Sequence, residues 1–387
     1  MIDLKQKKIT VLGSTGSVGR QTLDVARFHG IPVTGLSGCR NVALLEAQIR
    51  EFSPAYCAVA DAGAAKELKL RVADTATRIL AGTDSVSELA AMPDTDMVCN
   101  SVTGVAGLFP TLAAIEAGHD VALANKETLV TAGDTVLRRA RERGVSVLPV
   151  DSEHCAVFQC LAANAGRGFS RILLTASGGA FYGMDRTALS RITPEMALRH
   201  PTWNMGPKIT VDCASLANKG LEVIEAARLF GASADQIEVV IHRESIVHSM
   251  VEFADNAVIA QMSLPDMRMC IQYALTYPDR LPSLNPRMDF SALPSLSFAP
   301  PDRETFILLD TAYYALRQGG VIPAVFNAAN EAAVALFMEG KISFPELFDI
   351  VDSVTRSYQI PAVPETDVKS VMEADACARH MVASSVR

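Results

Sequence analysis

The sequence predicts an α/β protein in three parts: a Rossmann-like N-terminal domain, an α+β domain and a C-terminal α-helical bundle. Three observations carry this. Strand and helix patterns alternate to about residue 150, which implies a mostly parallel sheet with crossover helices. From 151 to about 275 the pattern is mixed, and beyond 301 it is helical. Between the last two lies a stretch holding Pro278, Pro282, Pro286, Pro294, Pro300 and Pro301, which reads as an extended linker. At 387 residues the chain exceeds one hydrophobic core. The expected division is therefore 1–150, 151–275, a linker at 276–301 and a helical domain at 302–387.

The elements follow in order. Residues 8–12 read as the first strand; Gly13, Gly16 and Gly19 come next, and 20–27 has helical spacing. Further strands are expected at 33–36, 56–59, 97–100, 121–124 and 145–150. In the second part, 172–175, 237–241, 249–253 and 258–262 read as strands, and 214–230 as one helix ended by Gly231, a residue suited to a left-handed C-terminal turn. In the third, 305–318 stops at Gly319-Gly320, and the alanine-rich 326–338 stops before Gly340. Ser343-Phe-Pro-Glu346 has the form of a capping box, and a last amphipathic stretch runs from about 366 to 382.

Composition excludes several classes. With 49% apolar and 20% charged residues the chain is a folded one. A net charge of −8 argues against nucleic acid or an anionic membrane as partner, though not against a small anionic substrate. The eight cysteines are scattered, with no CxxC pair, as in a reducing compartment. No apolar run reaches membrane-span length and no signal-peptide core is seen, so the expected location is the cytoplasm.

Seven clusters carry chemistry. Gly13, Gly16 and Gly19 let backbone N–H groups approach a pyrophosphate, whose charge the helix start favours; a ligand-free turn is the plain alternative. After the second strand, Leu36-Ser-Gly-Cys-Arg40-Asn41 has no acid for a ribose 2′-hydroxyl and offers Arg40 for a 2′-phosphate, which favours NADP over NAD. Asp151-Ser152-Glu153-His154 stands at the end of a strand; if the backbone stays extended, Asp151 and Glu153 share a face. Downstream, Asn218 and Lys219 precede Glu222 by four and three positions in a helical pattern. Three carboxylates, a lysine and an amide suit a hard divalent cation beside an anionic group. Helix-capping acids and a surface ion pair are the plainer readings of these residues. Asn125-Lys126-Glu127 follows another strand, Thr175-Ala-Ser177-Gly178-Gly179 could hold phosphate, and the lone Trp203, within 200–206, is either a lid or a core side chain. His154, His242 and His248 read as structural, and whether 326–331 reaches the middle domain stays open.

Taken in order, G-S-T-G-S-V-G, A-N-K-E-T-L-V, D-S-E-H, S-G-G, H-P-T-W-N-M-G, N-K-G-L-E and F-N-A-A-N-E resemble the motifs of the 1-deoxy-D-xylulose 5-phosphate reductoisomerase family, through nearly the whole chain. The resemblance implies an NADPH domain, a catalytic domain and a helical domain, in a homodimer that needs Mg²⁺ or Mn²⁺. It implies conversion of a small phosphorylated sugar, 1-deoxy-D-xylulose 5-phosphate, to 2-C-methyl-D-erythritol 4-phosphate, an early step of isoprenoid precursor synthesis by the non-mevalonate route. Rearrangement, with the metal as Lewis acid, would precede hydride transfer. By the same likeness Asp151, Glu153 and Glu222 bind metal and, with Lys126 and His200, form the catalytic set. Lys126, Ser152, Glu153, Ser177, His200, Trp203, Cys213, Asn218, Lys219 and Glu222 touch substrate. Thr15, Gly16, Ser17, Val18, Cys39, Arg40, Asn41, Asn125, Glu127 and Gly206 touch NADPH.

Some positions depart from the family pattern. Cys213 stands where a phosphate-binding serine is usual, a weaker donor that Ser215 could offset. Cys39 replaces a glycine, Cys155 a serine, and His242-Arg243-Glu244-Ser245 stands for the usual H-P-Q-S. Altered affinity is expected rather than altered reaction. Two rival readings are an NADP-dependent dehydrogenase of the semialdehyde or homoserine type, which needs no tight metal, and a non-catalytic NADP-binding sensor, which needs no acidic triad.

Overall fold

Runs such as Ile9-Thr-Val-Leu12 and Met97-Val-Cys-Asn100 are buried at every position, as strands covered on both faces must be. They belong to a computed structural model that describes residues 4–164, 168–199, 203, 205–293, 295–359 and 367–386. The chain packs into two units: Met1–Thr128 with Val136–Cys155 and Asp266–Arg287, and Leu129–Thr135 with Ala156–Pro265 and Met288–Arg387.

The first unit holds a seven-stranded sheet of β1 (Ile9–Leu12), β2 (Val33–Gly38), β3 (Tyr56–Val59), β4 (Arg78–Ala81), β5 (Met97–Asn100), β6 (Asp120–Leu123) and β7 (Val147–Pro149). All pairs are parallel, in the order β4-β3-β2-β1-β5-β6-β7. The crossovers are α1 (Ser17–His29), α2 (Val42–Phe52), α3 (Ala62–Arg71), α4 (Ser85–Ala90), α5 (Leu108–Glu116) and α6 (Lys126–Arg143). Strand order reverses between β1 and β5, and the carboxyl ends of strands at such a reversal flank a ligand crevice. The edge strand β4 was not expected; only its two middle residues are even half-buried, so it lacks the apolar run that marks its neighbours.

After β7 the chain enters α7 (Ser152–Ala163) at once. The second unit then contributes β8 (Arg171–Ala176), α8 (Arg186–Leu189), α9 (Pro194–Ala197), α10 (Pro207–Ala214), α11 (Ala217–Phe230), β9 (Ile237–Ile241), β10 (Val247–Glu252) and β11 (Val258–Met262). Its sheet runs β11-β10-β8-β9, with β8 and β9 parallel and the other pairs antiparallel. The expected single helix over 214–230 is two. The chain breaks at Ser215 and Leu216, where Leu216 takes φ 58. Ser215 Oγ donates to the Asp212 carbonyl oxygen (3.2 Å) and accepts from the Ala217 N–H (3.3 Å), which offers the backbone an alternative to a continuous ladder.

Helix α12 (Met267–Thr276) packs on α1 within the first unit. Among the described residues the proline-rich stretch that follows holds one short 3-10 turn at Phe290–Ala292, and Ala299 bridges to Ile241 of β9. In the second unit α13 (Leu308–Gln318), α14 (Ile322–Met338), α15 (Phe344–Ser357) and α16 (Val368–Ser385) share one core with the sheet and α11. Its centre is aromatic: Phe344 meets Phe181, Phe337 and Phe348 at centroid distances of 5.3, 5.2 and 4.9 Å. The Ser343–Glu346 capping box is formed in both directions, and Tyr313 Oη donates to the Ile237 carbonyl oxygen at 2.8 Å.

Candidate active site

The loop between β1 and α1 is shaped by close backbone packing. Gly13 has φ 75, and a Cβ there would lie 2.9 Å from the Ser101 carbonyl oxygen. A Cβ on Gly19 would lie 2.2 Å from the Gly13 carbonyl oxygen, so only glycine lets the first helical turn close on the loop. The Gly13 and Ser14 N–H groups donate to Ser37 of β2, at Oγ (2.9 Å) and at the carbonyl oxygen (2.8 Å). Helix α1 has neither a side-chain cap nor an acid in its first turn, so the start of the helix beside Thr15, Gly16, Ser17 and Val18 offers backbone donors suited to an anion, although the Gly16 N–H itself donates to the Gly13 carbonyl oxygen at 3.0 Å.

At the end of β2, Cys39, Arg40 and Asn41 are exposed. Arg40 Nε donates to Asp61 Oδ2 at 3.1 Å, while its side chain stays 82% exposed. Asp61 heads α3 and accepts the Ala64 N–H; that bond first, and then Arg40, hold its carboxyl below the usual carboxylate range. Asn41 caps α2 by accepting the Leu44 N–H. Asn125 caps α6, accepting from Thr128, and its amide donates to the carbonyls of Val102 (2.6 Å) and Gly104 (2.9 Å) and to Glu127 Oε2 (3.0 Å). Asn125 therefore clasps the loop after β5.

The D-S-E-H segment is not the extended register first considered. Asp151 is the cap residue of α7, its carbonyl accepting the Cys155 N–H, and Glu153 lies in the first helical turn. Aspartate and serine favour helix starts, and here they end the strand. An oxygen of Asp151 and one of Glu153 still lie within 4.8 Å of each other. Lys126 Nζ stands 2.8 Å from Asp151 Oδ2, with side-chain exposures of 8% and 9%. Burial alone would raise the Asp151 carboxyl; the Lys126 ammonium and His154 outweigh it and hold the group well below the usual range. Ser152 Oγ donates to Glu153 Oε2 at 2.5 Å. Cys155 hydrogen-bonds Cys270 of α12, which with burial pushes the Cys270 thiol well up.

In the second unit, every residue of α11 from Ala217 to Ala227 is buried. Asn218 Nδ2 donates to Glu222 Oε1 (2.5 Å) and Lys219 Nζ to Glu222 Oε2. With Lys219 4% and Glu222 1% exposed, this is not a surface ion pair. A Cβ on Gly220 would lie 2.6 Å from Ala312 Cβ, so the glycine in N-K-G-L-E is where α11 packs on α13. The S-G-G loop leaves β8 with Gly178 at φ 79 and Gly179 at φ 72, and a Cβ on Gly179 would lie 2.4 Å from the Cys213 carbonyl oxygen. Trp203 is half-buried, 6.3 Å from the His248 ring. Gly206 is exposed and caps α10 ahead of Pro207. His200 lies outside the described residues. Ser215 is fully buried with its hydroxyl engaged by the backbone, so it does not offset Cys213.

A family profile described as 1-deoxy-D-xylulose 5-phosphate reductoisomerase matches residues 9–133, and two profiles for C-terminal domains of the same enzyme match 147–230 and 262–381. A protein of that name from Agathobacter rectalis is 48% identical over 373 residues, covering 96% of this chain and 98% of its own. Its counterpart from Pelotomaculum thermopropionicum is 49% identical over 98% and 99%. The chain belongs to the 1-deoxy-D-xylulose 5-phosphate reductoisomerase family. A crystal structure of a reductoisomerase of this family in complex with NADPH, fosmidomycin and magnesium superposes with a TM-score of 0.94 at 36% identity, covering 98% of each chain. The Zymomonas mobilis enzyme in complex with NADPH gives 0.91 at 39%, over 98% of this chain and 99% of its own.

Within this reductoisomerase chain, several buried polar residues escaped the motif reading. Glu225 is 1% exposed one turn beyond Glu222, a spacing that the helical pattern could have revealed. Asp212 accepts from Asn330 Nδ2 (2.7 Å) and Lys208 Nζ (3.1 Å). The F-N-A-A-N-E motif thus reaches α10, a contact over 118 residues that nothing local in the sequence signals. Among the described residues no helix is long and apolar enough to cross a membrane.

Proposed function

We propose that the protein converts 1-deoxy-D-xylulose 5-phosphate to 2-C-methyl-D-erythritol 4-phosphate with NADPH and Mg²⁺ or Mn²⁺, in the non-mevalonate route to isoprenoid precursors. It is an enzyme, an NADP-dependent oxidoreductase whose reaction includes an intramolecular rearrangement. The observation that carries this reading is the burial of its charged motifs: Lys126 with Asp151 in one unit, Asn218 and Lys219 with Glu222 in the other. Buried charge is costly to keep unless it acts on a ligand or specifies structure.

The residues fit the two cofactors. Asp151, Glu153 and Glu222 are an all-oxygen donor set, the kind a hard divalent ion takes, and Asp151 is held ionised by Lys126. The uncapped α1 N-terminus, Arg40 and the absence of an acid at the end of β2 suit NADPH, with Thr15, Gly16, Ser17, Val18, Cys39, Asn41, Asn125, Glu127 and Gly206 around it. When bound, the metal supplies Lewis acidity and NADPH the hydride. Lys126 keeps a positive charge, and a transferable proton, beside the reacting oxygens. Lys219 has three donor hydrogens, so one ammonium can hold Glu222 and still reach the substrate phosphate with Asn218 and Ser177. Ser152 orients Glu153. Trp203 excludes water from the site, His200 belongs to the catalytic set by family likeness, and Cys213 lines the phosphate end. In this reading 1–150 binds nucleotide, 151–275 carries the chemistry apart from α12, which packs in the first unit, 276–301 links, and 302–387 supports α10 and α11.

The protein acts in the cytoplasm, without nucleic-acid or membrane partners, as a homodimer. Edge strand β11 supports the dimer: Val258 and Ile259 are 47% and 38% exposed on a strand with one unpaired side, whereas Ala299 covers the opposite edge at β9.

The test is turnover by purified protein with NADPH, Mg²⁺ and deoxyxylulose phosphate, the product identified by NMR. Methylerythritol phosphate is expected, and exhaustive chelation should stop its formation. Undiminished NADPH oxidation without metal would point to a plain dehydrogenase.

A further inference from the structure

Strands β8 and β9 are parallel neighbours, with Ala176 opposite Ile241. Their C-terminal ends therefore emerge side by side, the S-G-G loop from one and the turn at 242–245 from the other. The turn is rigid. His242 is buried; its N–H donates to the Ala176 carbonyl oxygen (2.7 Å), and its Nε2 accepts from the N–H groups of Ile246 and Val247, both at 3.1 Å. With Nε2 accepting, Nδ1 carries the proton and donates to the Ser297 carbonyl oxygen at 2.9 Å. Phe298 stacks on the ring, and Ser245 closes the turn at φ 52.

From this base Arg243 reaches the loop. One guanidinium nitrogen, Nη1, donates to the carbonyl oxygens of Ser177 (2.6 Å) and Gly179 (2.9 Å). The guanidinium carbon lies 5.0 Å from the centroid of the Tyr182 ring, and a Cβ on Gly178 would lie 2.9 Å from that same ring. The loop is thus enclosed by the Tyr182 ring, the guanidinium and, at Gly179, the Cys213 carbonyl. In a trans peptide the N–H points opposite to the C=O. Tying the two carbonyls to Arg243 therefore turns the N–H groups of Gly178 and Ala180 away from it. None of the partners described for Arg243 is a carboxylate; the adjacent Glu244 turns instead to Ser297 and His242.

We propose that Arg243 is a positioning residue for the phosphate end of the substrate. It fixes the backbone donors of the loop at 177–180 and adds an unneutralised positive charge there, in place of the hydroxyl that this chain lacks at Cys213. The proposal rests on the reading above that Ser177 binds the phosphate. Two departures from the family pattern, far apart in the sequence, then form one unit, because the loop lies between the Cys213 backbone and the Arg243 side chain.

The experiment uses the full-length enzyme with NADPH and Mg²⁺, comparing R243Q, R243K, C213S, S177A and the R243Q/C213S pair. Readouts are KM for the sugar phosphate and for NADPH, kcat, competitive inhibition by inorganic phosphate, and amide hydrogen exchange at Gly178 and Ala180. In R243Q, KM for the sugar phosphate and the inhibition constant for phosphate should rise about 10-fold, the scale of one charge-assisted contact, with NADPH KM unchanged and both amides exchanging faster. C213S should lower KM in the parent and recover most of the loss in R243Q. R243K should keep part of the phosphate affinity but not the slow exchange, since an ammonium lacks the planar fork. Unchanged exchange at Gly178 and Ala180 in R243Q overturns the role of Arg243, whatever KM does. Fast exchange in R243Q together with parental phosphate inhibition in both R243Q and S177A would instead overturn the phosphate reading on which the proposal stands. If R243Q does not fold, an unchanged KM in C213S and parental exchange in R243K overturn the proposal on their own.

Discussion

Asp151 shows how one neighbour sets the state of a buried group. Burial favours its neutral form, and the Lys126 ammonium reverses that balance. The sign of the pH effect follows. A carboxyl depressed on folding contributes stability above its unfolded value near 3.9, and loses that contribution as pH falls through the lower folded value. Lys126→Ala should therefore lower the melting temperature of metal-free protein at pH 7, with the gap to the parent closing below about pH 4 in thermal melts. Glu222→Gln, close in shape, should cut turnover by about 100-fold or more while NADPH titrates as in the parent, measured by nucleotide fluorescence. Residue identities at the site were legible where a motif named them. Asp151 and Glu153 were recognised as a pair, with an extended register as the leading reading and helix-capping acids as the plainer one; the second is what the structure shows, because Asp-Ser-Glu-His can extend a strand or start a helix. Arg243 stood out in the sequence only as a departure from H-P-Q-S, and its role was hidden because its partners are backbone carbonyls, which every residue carries.

At the scale of elements, α11 is held where Gly220 meets Ala312 of α13. Gly220→Ala should destabilise by about 1–3 kcal/mol and slow turnover, because the same helix carries Asn218, Lys219 and Glu222. Ala312→Gly in that background should recover part of both losses, a coupling that chemical denaturation of the four proteins in the cycle measures. Strands rich in apolar residues were legible to within a few residues, among them β1, β5 and β9. Strand β4 was not, since a half-exposed edge has no need of an apolar run. The break between α10 and α11 was hidden because its cause, the Ser215 hydroxyl, looks like an ordinary helical serine in sequence.

For the whole molecule, the order of parts along the chain was legible, and so was the parallel sheet. That α12 packs in the first unit, after a long excursion through the second, was not, because its apolar face says nothing about which sheet it covers. The exposed β11 edge makes assembly testable. Ile259→Lys should shift the protein to a monomer in sedimentation velocity, while the parent sediments as a dimer. Charge also acts at this scale. The chain as a whole repels its anionic ligands, while Arg40 stands almost fully in solvent, half committed to Asp61. Added salt weakens both effects, since the screening distance falls from about 10 Å at 0.1 M to about 3 Å at 1 M. On the reading that Arg40 meets the 2′-phosphate, added salt should therefore narrow the preference for NADPH over NADH, read as the ratio of their KM values at low and high ionic strength.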